Sequence, residues 1–197
     1  DTRYFIDRWS STRQPLQVEM WATSAAGAQK LRTVEDNAAV TTWLQTHVYA
    51  PTELFTFTTS DGQRIDASMV RPPDFDSTRS YPIVLNIYGG PGSQGVYDTW
   101  GSDGWAQWLA QQGYIVVDAN NRGNNGYGAA FLKAAYRRLG YWEAHDAAEV
   151  ARYVGRMRGA DSTRIGIMGA SHGGYTTLMA MEAFAQDVAG KFYDRQV

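Results

Sequence analysis

Short β-type runs dominate the first fifty residues of the chain. Residues 4–9 are mostly aromatic or apolar, and residues 16–22 alternate between apolar and polar side chains. This alternation is typical of half-buried strands, and residues 10–15 supply the turn between them. Two strands are too few for an independent domain, so we expect residues 1–50 to be the end of a larger β unit, either a propeller or a sandwich. Residues 36–43 fit a helix or a loop.

A β-hairpin is predicted next, because residues 54–59 and 64–70 flank the turn signal Asp61-Gly62. The pattern then changes to near-continuous apolar runs that alternate with helical spacing, which indicates a parallel sheet with right-handed crossover helices. The predicted strands are residues 82–88, 114–118 and 164–168, and the predicted helices lie at 104–113 and within 141–157. The leading hairpin makes the sheet mixed, so residues 51–197 are expected to form an α/β unit.

The last predicted strand leads into a candidate nucleophile. Gly169, Ser171 and Gly173 fit the pattern G-x-S-x-G between a strand and an apolar helical run, which predicts a nucleophile elbow. The turn is so tight that the residues two before and two after the serine must be small. The serine hydroxyl then stands clear of the sheet, and the N–H of His172 points at the same space. A chance match in a glycine-rich chain is the alternative, but the flanking strand and helix favour the elbow.

A glycine-rich loop after the strand at 82–88 allows a rival interpretation. Gly90, Gly92 and Gly95 satisfy G-x-G-x-x-G, and Asp118 lies at the end of the next strand, which is the outline of a dinucleotide site. Such a loop should open a helix at once, whereas residues 96–103 lack a helical apolar pattern. The dinucleotide site is therefore the weaker alternative.

A second loop, residues 120–128, also follows a strand, on the side where ligands bind in α/β sheets. We favour a tight, hydrogen-bonded loop that supports a neighbouring site. Arg122 is expected to brace that site by donating to backbone carbonyls.

Composition removes several classes of function. The formal net charge is −2 with interspersed signs, so neither nucleic acid nor an anionic membrane is an expected partner. The chain has no cysteine, which excludes disulfides, thiolate metal sites and cysteine catalysis and leaves the redox compartment open. No apolar run approaches the roughly 20 residues of a membrane span, and we expect neither a cofactor nor a metal. The first residues lack a signal-peptide pattern, and the chain has no initiator Met and opens straight into a predicted strand, so we expect a piece of something longer. The cellular location stays open, with a periplasmic or secreted protein slightly favoured over a cytoplasmic one.

Four segments together resemble the prolyl oligopeptidase family of serine peptidases, in particular its dipeptidyl peptidase IV-like members. They are Tyr88-Gly89-Gly90-Pro91, the R-G-x-x-G-Y-G segment that starts at Arg122, Glu143 with Asp146 after Leu139-Gly140, and the G-x-S-x-G-G-Y segment that ends at Tyr175. The resemblance covers about residues 52–182. It implies that residues 1–50 are the C-terminal remnant of a β-propeller and a linker. Residues 51–197 would be the N-terminal part of an α/β-hydrolase catalytic domain with an incomplete sheet.

The resemblance also implies roles for individual residues. Ser171 would be the nucleophile, and the Tyr88 hydroxyl and the His172 N–H would form the oxyanion hole. The His172 side chain would line the substrate pocket, and Arg122 is expected at that pocket too. The implied substrate is a short peptide, with dipeptidyl peptidase or oligopeptidase activity, and post-proline cleavage is left open.

The sequence departs from the family in the order of its catalytic residues. In these hydrolases the acid and then the histidine follow the serine, but the only histidine after Ser171 is its immediate neighbour His172, whose side chain the elbow aims away from the serine. The three histidines are His47, His145 and His172. Asp187 and Asp194 come too soon to be the family's acid, and the tail after Met181 does not resemble the expected strand. We therefore expect the acid, the base and the remaining strands in a missing C-terminal part of the same protein or in another chain.

The lead hypothesis is thus a serine peptidase whose residues 1–197 are inactive alone. An esterase of the same fold is one alternative, and a non-catalytic fragment that acts as an interaction module is another.

Overall fold

The computed structural model describes residues 3–101 and 103–187 and contains two sheets. The first is antiparallel, with strands in the order β1-β2-β3. Its strands are β1 (Tyr4–Ser11), β2 (Gln14–Ser24) and β3 (Gly27–Glu35). The predicted strands at 4–9 and 16–22 are confirmed, with a shorter turn than expected.

Strand β3 was not predicted from the sequence. All of its residues are exposed, so it carries no apolar signature, and its pairing with β2 defines it. Lys30 of β3 forms an ion pair with the buried Glu19 of β2 at 2.5 Å. Residues 36–43, left open between helix and loop, lie mainly in α1 (Ala38–Thr46).

The second sheet has five strands in the order β4-β5-β7-β6-β8. Its strands are β4 (Thr52–Thr58), β5 (Arg64–Val70), β6 (Tyr81–Asn86), β7 (Ile115–Ala119) and β8 (Ala160–Met168). The hairpin strands β4 and β5 are antiparallel to their neighbours, whereas β6 pairs with β7 and β8 in parallel. The predicted mixed α/β sheet is therefore confirmed.

Helices lie on both faces of this sheet because its central strands are apolar on both sides. They are α2 (Gly104–Gln111), α3 (Ala129–Lys133), α4 (Tyr141–Val154) and α5 (His172–Asp187). Ile83 and Leu85 of β6 pack in one buried cluster with Val154 of α4. Val116 of β7 packs in another cluster with Leu109 of α2. The short helix α3 was missed, and β8 begins four residues before the predicted strand.

The parallel strands bring three loops to one end of the sheet. These loops follow β6, β7 and β8, and they contain Tyr88, Arg122 and Ser171 respectively. The division of the chain after residue 50 stays a prediction. In the part of the chain that the structure describes, no helix combines the length and apolarity that a membrane crossing requires.

Candidate active site

The turn between β8 and α5 has the geometry of a nucleophile elbow. Ser171 has a φ angle of 57°, a left-handed conformation that is costly for a residue with a side chain. The residue is exposed. A Cβ atom at Gly169 or Gly173 would overlap the carbonyl oxygen of Ile87 at the end of β6. The two glycines are therefore required because the turn packs against the backbone of the neighbouring strand.

Helix α5 starts directly behind the serine. The N–H of Gly173 donates to Ala170 O at 2.8 Å, and the N–H groups of Gly174 and Tyr175 donate to Ser171 O at 3.0 and 3.2 Å. These bonds close the first turn of the helix. The preceding amide belongs to His172, the first helical residue, and amides at this end of a helix favour negative charge.

Tyr88 lies next to this turn. Its side chain is 52% exposed, and its ring centroid is 6.1 Å from that of His172. A Cβ atom added to Gly173 would stand 3.1 Å from the Tyr88 Cα atom. The structure therefore brings Ser171, His172 and Tyr88 together at one end of the sheet, and the catalytic roles expected of them stay predictions.

Buried polar side chains hold the backbone of the Tyr88 loop. The Thr176 hydroxyl donates to Tyr88 O at 3.4 Å, and the amides of Asn121 and Asn124 donate to Gly89 O and Gly90 O at 3.3 Å each. Sequence reasoning missed these three residues. Asn121 and Asn124 lie in the loop that was expected to support the site, which was the available signal.

Among residues 3–101 and 103–187, the Arg122 side chain donates to carboxylates and not to backbone carbonyls, which corrects that expectation. Its buried guanidinium donates to Asp146 at 2.6 Å and to Asp61 at 2.5 Å, and it lies 3.7 Å from the centroid of the Trp142 ring. It also contacts His145 Nδ1 at 3.0 Å. Arg122 therefore links the loop after β7, in which it lies, to the β4–β5 turn through Asp61 and to helix α4 through Asp146. A role for Arg122 in the substrate pocket stays a prediction.

Asp61 shows the electrostatic effect of this cluster. Burial raises the pKa of its carboxyl, but the hydrogen bonds from Arg122 and Thr59 outweigh burial and hold the pKa below its ordinary value. Asp61 therefore stays ionised and paired at neutral pH.

Glu143 is a further residue at the site, and sequence reasoning assigned it no role there. It is fully buried in the first turn of α4, and its Oε1 atom lies 3.5 Å from Nε2 of His172. Burial raises the pKa of Glu143, and the neighbouring His172 and Gly140 oppose that rise. The available signal was a charged residue beside the apolar face of a predicted helix.

The alternative dinucleotide site is wrong for this loop. The N–H groups of Gly95 and Val96 donate to Asn120 Oδ1 at 2.9 and 3.0 Å, so they are occupied within the protein. The next helix begins only at Gly104, whereas a dinucleotide loop opens a helix directly. Among residues 3–101 and 103–187, no group of three or more acidic or histidine side chains is arranged to hold a metal ion.

Known proteins resemble the chain over most of its length. A sequence model of the prolyl oligopeptidase family matches residues 100–189. Dipeptidyl peptidase 4 of Sus scrofa is 36% identical over 161 residues, which cover 81% of this chain and 21% of that protein. A probable dipeptidyl-aminopeptidase B of Tuber melanosporum is 37% identical over 152 residues, 77% of this chain and 17% of that protein.

Solved structures show the same likeness. The crystal structure of Porphyromonas gingivalis dipeptidyl peptidase 4 superposes with a TM-score of 0.84 at 38% identity, covering 90% of this chain and 25% of that one. A dipeptidyl aminopeptidase IV structure from Bacteroides ovatus, described as putative, also gives a TM-score of 0.84, at 29% identity, and covers 93% of this chain and 26% of that one. The chain thus spans between 17% and 26% of the length of the relatives compared above.

Proposed function

Because the chain belongs to the prolyl oligopeptidase family, we propose that it supplies the nucleophile and the oxyanion hole of a serine peptidase. Ser171 carries this proposal, since it is exposed with a φ angle of 57° at a strand-to-helix turn beside Tyr88. A residue with a side chain is strained in this left-handed conformation, and such strained residues cluster at active sites. The same geometry is the template for nucleophiles in α/β hydrolases.

In the proposed reaction the Ser171 hydroxyl oxygen attacks the scissile carbonyl of a peptide and forms an acyl-enzyme. The proton of the hydroxyl passes to a general base, which later returns it to the leaving amine. The carbonyl oxygen becomes an oxyanion that accepts hydrogen bonds from the Tyr88 hydroxyl and the His172 N–H. Tyrosine suits this task because it is an uncharged donor that faces the negative charge only as it develops.

The general base and its acid are proposed to lie outside residues 1–197. The side chains of His145 and His172 are engaged elsewhere, since His145 contacts Arg122 at 3.0 Å and His172 faces Glu143 at 3.5 Å. His47 is exposed in the segment between α1 and β4 and stacks on Trp43. Loss of the base alone lowers turnover by on the order of 10⁶, so residues 1–197 by themselves are proposed to be inactive.

The named relatives favour dipeptide release over internal cleavage. Those compared above are called dipeptidyl peptidases or dipeptidyl aminopeptidases, so we extend that substrate class to the full-length protein that contains this chain. The substrate is then a short peptide with a free amino terminus. Completion of the sheet beyond β8 by the remainder of that protein belongs to the same proposal.

The test compares two chromogenic substrates on the full-length protein, an aminoacyl-prolyl anilide with a free amino terminus and its N-blocked counterpart. We expect hydrolysis of the free substrate only, and a loss of turnover on the order of 10⁶ in Ser171→Ala. Ser162→Ala, which changes an exposed serine of β8, is the matched control. Full activity of Ser171→Ala would refute the nucleophile, equal cleavage of both substrates would indicate an oligopeptidase, and cleavage of esters alone would indicate an esterase.

A further inference from the structure

Glu143 and His172 form a contact between two buried polar atoms beneath the elbow. Oε2 of Glu143 accepts a hydrogen bond from the N–H of Gly140 at 3.0 Å. Oε1 faces Nε2 of His172 at 3.5 Å. Neither of these two atoms has a hydrogen-bond partner among the residues that the structure describes. A buried acceptor and a buried ring nitrogen that face one another are both satisfied when a single proton lies between them.

The pair touches both sides of the proposed oxyanion hole. The imidazole of His172 lies between two rings, with centroids 6.1 Å from Tyr88 and 5.5 Å from Tyr175. Glu143 also lies under the Tyr88 loop, since a Cβ atom at Gly89 would stand 3.4 Å from Glu143 Cγ. The Glu143 side chain therefore lies beside His172 of the elbow through its carboxyl and beside the Tyr88 loop through its methylene carbon.

We propose that Glu143 is a positioning residue for the proposed peptidase reaction, because a proton shared with His172 fixes both donors of the oxyanion hole. This inference rests on the proposed function of Ser171. Glu143 does not touch the substrate in this scheme. It acts through the His172 imidazole, whose position sets the direction of the His172 N–H and supports the ring of Tyr88.

Three variants of the full-length protein test the inference. Glu143→Ala removes the contact, so we expect kcat to fall at least tenfold while KM changes less than threefold. Glu143→Gln keeps an N–H donor for His172 Nε2, so most of kcat should return at neutral pH. The matched control is Glu149→Gln, which changes a buried glutamate of the same helix that binds Ser60 and Arg152 instead.

The comparison of the two variants separates positioning from packing, because both change the Glu143 side chain but only glutamine keeps an N–H donor for His172 Nε2. An unchanged kcat in a folded Glu143→Ala variant would overturn the inference. If the alanine variant does not fold, a folded Glu143→Gln variant whose kcat falls tenfold would overturn it equally, because that variant keeps the donor for His172 Nε2.

Chemical modification of His172 tests its contact with Glu143 without an activity measurement. Diethylpyrocarbonate reacts with free imidazole nitrogens, so carbethoxylation of His172 should rise at least fivefold in Glu143→Ala, with the exposed His47 as internal reference. Equal rates in the two proteins would overturn the contact. A wild type that shows this protection but cleaves no peptide would refute the proposed function and leave the contact standing. If the wild type cleaves peptides and Glu143→Ala has the same kcat, the inference about Glu143 is refuted and the proposed function stands.

Discussion

The ring of Tyr88 lies over the Cα atom of Gly90, so close that a Cβ atom added at residue 90 would overlap ring carbon Cε1. Gly90 itself has no need of a left-handed backbone, since its φ angle is not positive. The glycine is required by the tyrosine two residues before it. A glycine at position 90 therefore allows the Tyr88 ring to keep its observed orientation.

Substitution Gly90→Ala is expected to displace the Tyr88 ring and lower kcat by about 10², the lower end of the loss for one oxyanion donor. The protein should keep its thermal stability within a few degrees, because the ring is half exposed and free to move outward. The measurement is kcat on the free-amino anilide. Gly101→Ala is the control, since a Cβ atom there meets no atom within 4 Å. An active Gly90→Ala variant would contradict this account.

Substitution Tyr88→Phe removes only the hydroxyl. We expect kcat to fall by about 10²–10³ and KM to stay nearly constant, because the hydroxyl acts on the developing oxyanion and not on the bound substrate. Steady-state kinetics of the full-length protein measure both. Tyr136→Phe changes an exposed tyrosine of the same protein and should have no effect. A rise in KM at constant kcat would place Tyr88 in substrate binding instead.

The sequence predicted those features of the site that are local. Ser171, with its flanking glycines, and Tyr88 each follow a strand whose apolar run is continuous, so short-range patterns suffice for them. The strands of the mixed sheet were predicted for the same reason. Strand β3 was missed because every residue in it is exposed, and its hydrogen bonds come from β2.

The contacts that cross the fold were beyond sequence reasoning. Arg122 binds Asp61 from a hairpin turn and Asp146 from a helix, and nothing in the spacing of these residues pairs them. The contact of Glu143 with His172 likewise joins the starts of two helices. Such contacts depend on how the crossovers pack, and so they become visible only in three dimensions.

The turn at Gly173 offers a test of the elbow that needs no substrate. Gly173→Ala places a Cβ atom against the Ile87 carbonyl oxygen, so overpacking should cost roughly 1–3 kcal/mol of stability. Thermal unfolding should show a lower midpoint. Gly166→Ala within β8 is the control, because a Cβ atom there stands 3.9 Å from the nearest oxygen, that of Ile83. Equal midpoints would show that the turn relaxes without strain.

The buried ion pair of Arg122 with Asp146 predicts a large loss of stability. Both side chains are at least nine-tenths buried, so Asp146→Asn leaves the buried Arg122 charge with only the more exposed Asp61 as a carboxylate partner. Breaking a buried ion pair typically costs about 3–5 kcal/mol. Asp74→Asn is the matched control, since its pair with Arg79 is exposed and such pairs contribute at most about 1 kcal/mol. Urea unfolding at neutral pH compares the two. Similar losses of unfolding free energy in Asp146→Asn and Asp74→Asn would mean that Asp61 compensates for Asp146.

Asp118 at the end of β7 predicts how stability depends on pH. Burial raises the pKa of its carboxyl to about 7, a hydrogen bond from Asn86 at 3.2 Å opposes the rise, and Asp103 adds to it. The unfolded chain releases this proton near the ordinary value of 3.8. Between these values the folded state holds more protons than the unfolded state, so stability falls as pH rises from about 4 to about 7 and then levels off.

Asp118→Asn keeps an acceptor for Asn86 and cannot ionise, so its unfolding midpoint should exceed that of the wild type by a margin that grows over this range. A difference between the two unfolding midpoints that stays constant from pH 4 to pH 8 would contradict the prediction.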